Sequence, residues 1–76
     1  MNLVLYTGPD CHLCDLAKRE LEILNNLSID VELINIRKNT EHYHLYATRI
    51  PVLQRKDNSQ ELGWPFSAEQ IRSFIE

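Results

Sequence analysis

Apolar residues follow two rhythms along this chain. Leu3-Val4-Leu5-Tyr6 is a short unbroken run closed by Gly8-Pro9, which predicts a buried, central strand from Asn2 to Thr7. From about Cys11 to Asn26 the spacing lengthens. Leu13, Leu16, Ala17, Leu21, Leu24 and Leu27 recur at helical intervals and make one broad apolar face, with Asn25-Asn26 weakening the end. Asp30 to Arg37 then carries Val31, Leu33, Ile34 and Ile36 in a mostly apolar run. That suits a second strand parallel to the first, joined to it by the crossover helix.

The second half shifts rhythm more often. Asn39-Thr40 predicts a helix start, and Tyr43, Tyr46 and Ala47 give a short amphipathic helix ending near Thr48, with its histidines solvated. Ile50-Pro51-Val52-Leu53-Gln54 predicts a strand with proline at its start, followed by a polar turn at Lys56-Asp57-Asn58-Ser59 and a brief return strand near Glu61-Leu62. After Gly63-Trp64-Pro65-Phe66, Ser67 and Gln70 form a capping-box pattern ahead of Ala68, Ile71, Phe74 and Ile75, which predicts a closing helix. The expected order is β-α-β-α-β-β-α in one domain over residues 1–76, without linker, repeat or low-complexity segment.

A chain of 76 residues holds one small core. Its net charge of −3, with acids and bases interspersed, offers no basic patch for nucleic acid or an anionic membrane surface. No apolar run approaches the roughly twenty residues that span a bilayer, and no signal-peptide pattern opens the chain. A cytoplasmic monomer is the expectation, and two cysteines in a reducing compartment point to catalysis rather than a structural bridge.

Those cysteines form Cys11-His12-Leu13-Cys14, placed where the first strand hands over to the first helix. Residues three apart on a helix are neighbours, so the pair can close into a disulfide with little backbone movement. Counting from Cys14, the positions Ala17, Leu21 and Leu24 continue the inward stripe; counting from Cys11, Asp15, Lys18 and Glu22 are all charged. Cys14 is therefore expected to face the core and Cys11 water. Cys11 at the helix mouth is the expected attacking thiol, its anion favoured by unpaired N–H groups and the macrodipole, and Cys14 the resolving thiol. Two other readings stay open, an inert bridge and half a zinc site completed by His12, His42 or His44. Asp10 opposes thiolate formation or simply caps the helix. A protonated His12 favours the thiolate, and His12 can donate a proton to a leaving thiol, although an exposed residue without a role fits it as well. A Cys11 pKa of about 6 to 8 follows. Tyr6 and Tyr43 are expected in the core.

With these elements in order, the chain resembles the thioredoxin fold, and within it the small glutaredoxin-like proteins. Leu5-Tyr6-Thr7, Cys11-His12-Leu13-Cys14-Asp15, Arg49-Ile50-Pro51-Val52-Leu53 and Trp64-Pro65-Phe66 stand where that group's motifs stand. The resemblance implies an α/β thioredoxin/glutaredoxin fold, a four-stranded mixed sheet with helices on both faces. It implies thiol–disulfide oxidoreductase activity through Cys11 and Cys14, with no metal or bound organic cofactor. It also implies a cis bond at Ile50-Pro51, with Ile50 pairing its backbone with an extended substrate. His12, Arg49, Ile50, Pro51 and Trp64 are the expected substrate contacts. Partners would be protein or small-molecule disulfides, with glutathione or a reductase as electron source. Two alternatives accompany this reading: an electron donor reduced by thioredoxin reductase, which Trp64 and Phe66 suggest, and a metal or iron–sulfur module using Cys11 as a ligand. A non-catalytic interaction domain on the same fold is a third.

Departures from the group's pattern bear on glutathione. Gly63-Trp64-Pro65-Phe66-Ser67 replaces the Gly-Gly turn and acidic residues that hold the tripeptide's γ-glutamyl end in glutathione-using members. Pro65 lacks a donor and Ser67 lacks a charge. Arg37, Lys38 and Arg49 can still meet the glycyl carboxylate, but exposed ion pairs contribute only about 0 to 1 kcal/mol each. Glutathione is thus expected to bind weakly.

Overall fold

A computed structural model describes residues 1–25 and 27–76. Strand β1 (Asn2–Thr7) leads into helix α1 (His12–Ile23), strand β2 (Asp30–Asn35), a 3-10 turn (Ile36–Lys38) and helix α2 (Thr40–Tyr46); then come β3 (Val52–Arg55), β4 (Glu61–Gly63) and α3 (Ala68–Ile75). The sheet order is β2-β1-β3-β4, with β1 parallel to β2 and antiparallel to β3, and β4 antiparallel to β3. The alternating rhythms predicted this element order, and the family resemblance implied the mixed four-stranded sheet.

Period-two alternation in the central strands divides the core in two. Leu3, Leu5 and Leu53 point to one face, where Ala17 of α1, Leu24 at its C-cap, Phe66, and Ile71 of α3 bury them. Val4, Tyr6 and Val52 point to the other, against Ile36 and Tyr46. Register fixes this division, since Leu5 stands opposite Leu33 on one side and Leu53 on the other.

Several boundaries differ from expectation. α1 closes at Ile23, because the Leu24 and Asn25 amides turn back to the carbonyls of Leu21 and Glu22 (3.0 and 3.1 Å); the predicted end at Asn26 lies outside the described residues. β2 stops at Asn35, whose side chain accepts from the Arg37 amide (3.0 Å) and starts the 3-10 turn, so Ile36 reaches the core from a turn. α2 begins after Asn39, which caps it through the His42 amide (3.1 Å), and ends at Tyr46 rather than Thr48. β3 begins at Val52 rather than Ile50. The closing helix has both halves of its capping box, from Ser67 and Gln70.

Three apolar side chains assigned to buried faces are exposed: Leu13 (44%), Leu33 (53%) and Tyr43 (46%). Leu13 lies in the first turn of α1. Leu33 lies on the edge strand, and Tyr43 on the outer side of α2. Conversely, His42 is half-buried instead of solvated, its ring 5.3 Å from that of Tyr6.

Candidate active site

The cysteines lie at the sheet's C-terminal edge, where β1 gives way to α1. Between them the chain turns through Asp10, whose φ of 53° lies in the left-handed region that Asp and Asn tolerate better than most residues. This turn leaves Cys11 extended at the N-cap, where its Sγ accepts the Cys14 amide at 3.1 Å. Cys11 itself therefore caps the helix, and the capping role expected of Asp10 is corrected. Asp10 is exposed, so water screens its charge beside the sulfur.

Cys11 and Cys14 are joined in a disulfide, with Cα atoms 5.2 Å apart. Their surroundings differ as the helical spacing predicted. Cys14 is 1% exposed, on the stripe it shares with Ala17 and Leu24, whereas Cys11 is partly open to solvent. In the reduced protein the same Cys14 amide and the start of α1 would face a Cys11 thiolate. An incoming reagent meets Cys11 first.

A cleft of about 130 Å³ flanks the loop before Cys11, lined among others by Gly8, Pro9, Arg37, Tyr43 and Ile50. The two segments approach closely: a Cβ at Gly8 would stand 3.0 Å from Ile50 Cδ1. The Ile50–Pro51 bond is cis, as is Trp64–Pro65, and Pro51 is buried. The amide of Ile50 donates to Tyr46 O at 3.1 Å. The Ile50 N–H is thus committed to the Tyr46 carbonyl.

The other expected contacts separate. His12 is exposed beside the pair. Arg49 turns away from the cleft to Glu61 on β4, with Nη2 2.7 Å from Oε1 and the guanidinium 5.2 Å above the Tyr46 ring. Tyr46 donates its hydroxyl to the other Glu61 oxygen at 2.6 Å and stacks on Tyr6 with centroids 4.1 Å apart. Burial and the Glu61 hydrogen bond push the Tyr46 phenol far up. The hydroxyl of Tyr46, with help from Arg49 and against the effect of burial, holds Glu61 below its ordinary value of 4.5. Sequence patterning gave no sign of this cluster, because it joins residues 12 and 15 apart through the β3–β4 hairpin.

Trp64 stands edge-on to Phe66 (5.0 Å) and lines a larger cavity of about 650 Å³ with Leu16, Arg19, Glu20 and Ser67. Here the start of α3 is already satisfied from within. The Ser67 amide donates to Gln70 Oε1 (2.8 Å), the Gln70 amide to Ser67 Oγ (3.2 Å), and the Ala68 amide to Glu20 Oε1 (3.0 Å). Among the described residues no group of three or more His, Cys, Asp or Glu side chains is placed to hold a metal ion, and no helix is long and apolar enough to cross a membrane.

Comparison with known proteins adds a family. The model of the family described as Glutaredoxin-like domain (DUF836) matches residues 2–76. The crystal structure of protein XcR50 from X. campestris is similar, with 33% identity, a TM-score of 0.86, and coverage of 96% of this chain and 93% of that one. The solution structure of Ne2328 from Nitrosomonas europaea has 31% identity and a TM-score of 0.81, covering 96% of this chain and 88% of that one. No curated protein matches the chain.

Proposed function

Because the chain belongs to the glutaredoxin-like domain family (DUF836), we propose that it is a thiol–disulfide oxidoreductase, with Cys11 as nucleophile and Cys14 as resolving thiol. The observation that carries this reading is the contrast within the pair: Cys11 partly exposed at a helix cap, and Cys14 buried behind it within disulfide reach. The Cys11 thiolate attacks one sulfur of a substrate disulfide. That S–S bond breaks, one substrate thiolate leaves and takes a proton, and a mixed disulfide forms. Cys14, deprotonated, then attacks Cys11 Sγ and releases the second substrate thiol. The substrate has gained two electrons and two protons, and the protein is left with the Cys11–Cys14 bond. A thiol or dithiol reductant returns it to the starting state.

His12, exposed beside the sulfurs, is the candidate proton donor to the leaving thiolate. Ile50 and Pro51 form the wall along which a substrate chain lies. Its pairing uses the Ile50 carbonyl, because Tyr46 holds the amide. Protein disulfides fit better than glutathione. A γ-glutamyl carboxylate at the start of α3 would compete with Glu20 for the Ala68 amide and find the Ser67 and Gln70 amides taken. Arg37 remains at the cleft for a substrate carboxylate, while Arg49 is committed to Glu61. A reducing, cytoplasmic setting is part of this reading, since a disulfide closing so short a loop adds little stability.

Reduction of insulin disulfides with dithiothreitol as electron source tests the proposal. Wild-type protein should accelerate it and Cys11→Ser should not; equal rates for the two would refute it. Supplying glutathione or thioredoxin reductase in place of dithiothreitol identifies the reductant, and slow, non-saturating turnover of a glutathione mixed disulfide is expected.

A further inference from the structure

We infer that Glu61 is a positioning residue for disulfide substrates, holding from the far edge strand the segment that carries Ile50 to the cleft beside Cys11. This rests on the proposed reductase reading. Glu61 uses both carboxylate oxygens, one for the Tyr46 hydroxyl (2.6 Å) and one for the Arg49 guanidinium (2.7 Å). The two residues so gripped bracket the short link between α2 and Pro51. Tyr46 O in turn accepts the amides of both Arg49 (2.8 Å) and Ile50 (3.1 Å), so fixing Tyr46 and Arg49 fixes the backbone from which Ile50 projects. Ile50 then meets Gly8, three residues before Cys11.

The grip has its own foundation. Glu61 stands opposite Gln54 in the β3–β4 ladder, and Gln54 accepts the hydroxyl of Tyr6, on which Tyr46 stacks. One carboxylate thus ties β4, β3 and β1 to the α2–β3 link. Hydrogen bonds to a charged group are the strong kind, and an Arg and a phenol held by one carboxylate leave little freedom to the turn between them. Arg49 is half exposed, so its ion pair alone holds weakly. The part-buried Tyr46 hydroxyl bond, at 2.6 Å, supplies more of the rigidity.

Glu61 touches neither sulfur. Its removal should change how substrate is held and not how the thiols react. Insulin reduction by Glu61→Ala is expected to show a rise in KM of roughly tenfold, equivalent to about 1.4 kcal/mol, with kcat and the reduction potential of the Cys11–Cys14 pair unchanged. Glu61→Gln keeps one acceptor for Tyr46 and should recover part of the loss. Amide hydrogen exchange followed by NMR provides a readout independent of turnover, in which the Ile50 amide should exchange faster in Glu61→Ala while the β1 amides stay protected. Unchanged Ile50 exchange would overturn the inference, as would an unchanged KM in a folded, active variant. A shifted reduction potential would overturn it too, by placing the effect on the sulfurs. Absence of insulin reduction in the wild-type protein would instead remove the reductase reading, and the exchange measurement would still judge whether Glu61 holds the segment.

Discussion

At the residue scale the chemistry turns on how Cys11 is presented. Asp10 pays for that presentation with a positive φ, and it sets a negative charge one residue from the sulfur. Asp10→Gly removes both, so the protein should gain up to about 1 kcal/mol in thermal denaturation while the Cys11 pKa falls in a thiol titration. A pKa that rises would show that Asp10 helps the thiolate. Glu61 sets a second residue-scale expectation. Its carboxyl is held below 4.5 in the folded protein by Tyr46 first and by Arg49. A depressed folded pKa stabilises above the unfolded value and is lost as pH falls through the folded one. Wild-type stability should therefore drop as pH falls below about 4.5, and Glu61→Gln should flatten that part of the curve. The groups facing Glu61 are Tyr46 and Arg49, with Tyr6 and His42 behind Tyr46.

At the element scale, the start of α3 tests the account of glutathione. Glu20 crosses from α1 to the Ala68 amide. Glu20→Ala should cost about 1 kcal/mol in denaturant unfolding, as losing a cap does, and lower the KM for a glutathione mixed disulfide by freeing that amide. A higher KM would mean that Glu20 itself contacts the ligand. Element type and order were legible because each segment carries one clear rhythm, and the capping box of α3 is local chemistry within four residues. The burial contrast of the cysteines was legible for the same reason, since Cys14 continues the stripe of Ala17 and Leu24. Ends were less so. Helical spacing marks Leu13 and Tyr43 as apolar positions, but whether a neighbouring element covers them depends on packing that no periodicity encodes. The stop of β2 depended on one Asn35 side chain favouring a turn.

At the scale of the whole molecule, a sheet covered on both faces holds the cysteine loop, the Ile50 segment and the Trp64 segment at one end. Leu53 links them: it is fully buried in β3, opposite Leu5 and Leu62. Leu53→Ala should cost about 2 to 5 kcal/mol, measured by urea denaturation, a large share of what a domain of this size possesses. The Tyr46–Glu61–Arg49 cluster belongs to this scale as well. It was hidden in the sequence because only the β3–β4 hairpin brings its members together, and each member alone is an ordinary helix, strand or loop residue.

The central claim is that Cys11 attacks and Cys14 resolves. It is tested most directly by trapping. Cys14→Ser, fully reduced and mixed with a protein disulfide such as that of insulin, should accumulate a mixed disulfide through Cys11, visible as a mass adduct released by dithiothreitol; Cys11→Ser should accumulate none. An adduct on Cys14 in the Cys11→Ser protein, with none on Cys11 in its counterpart, would reverse the assignment and contradict the account.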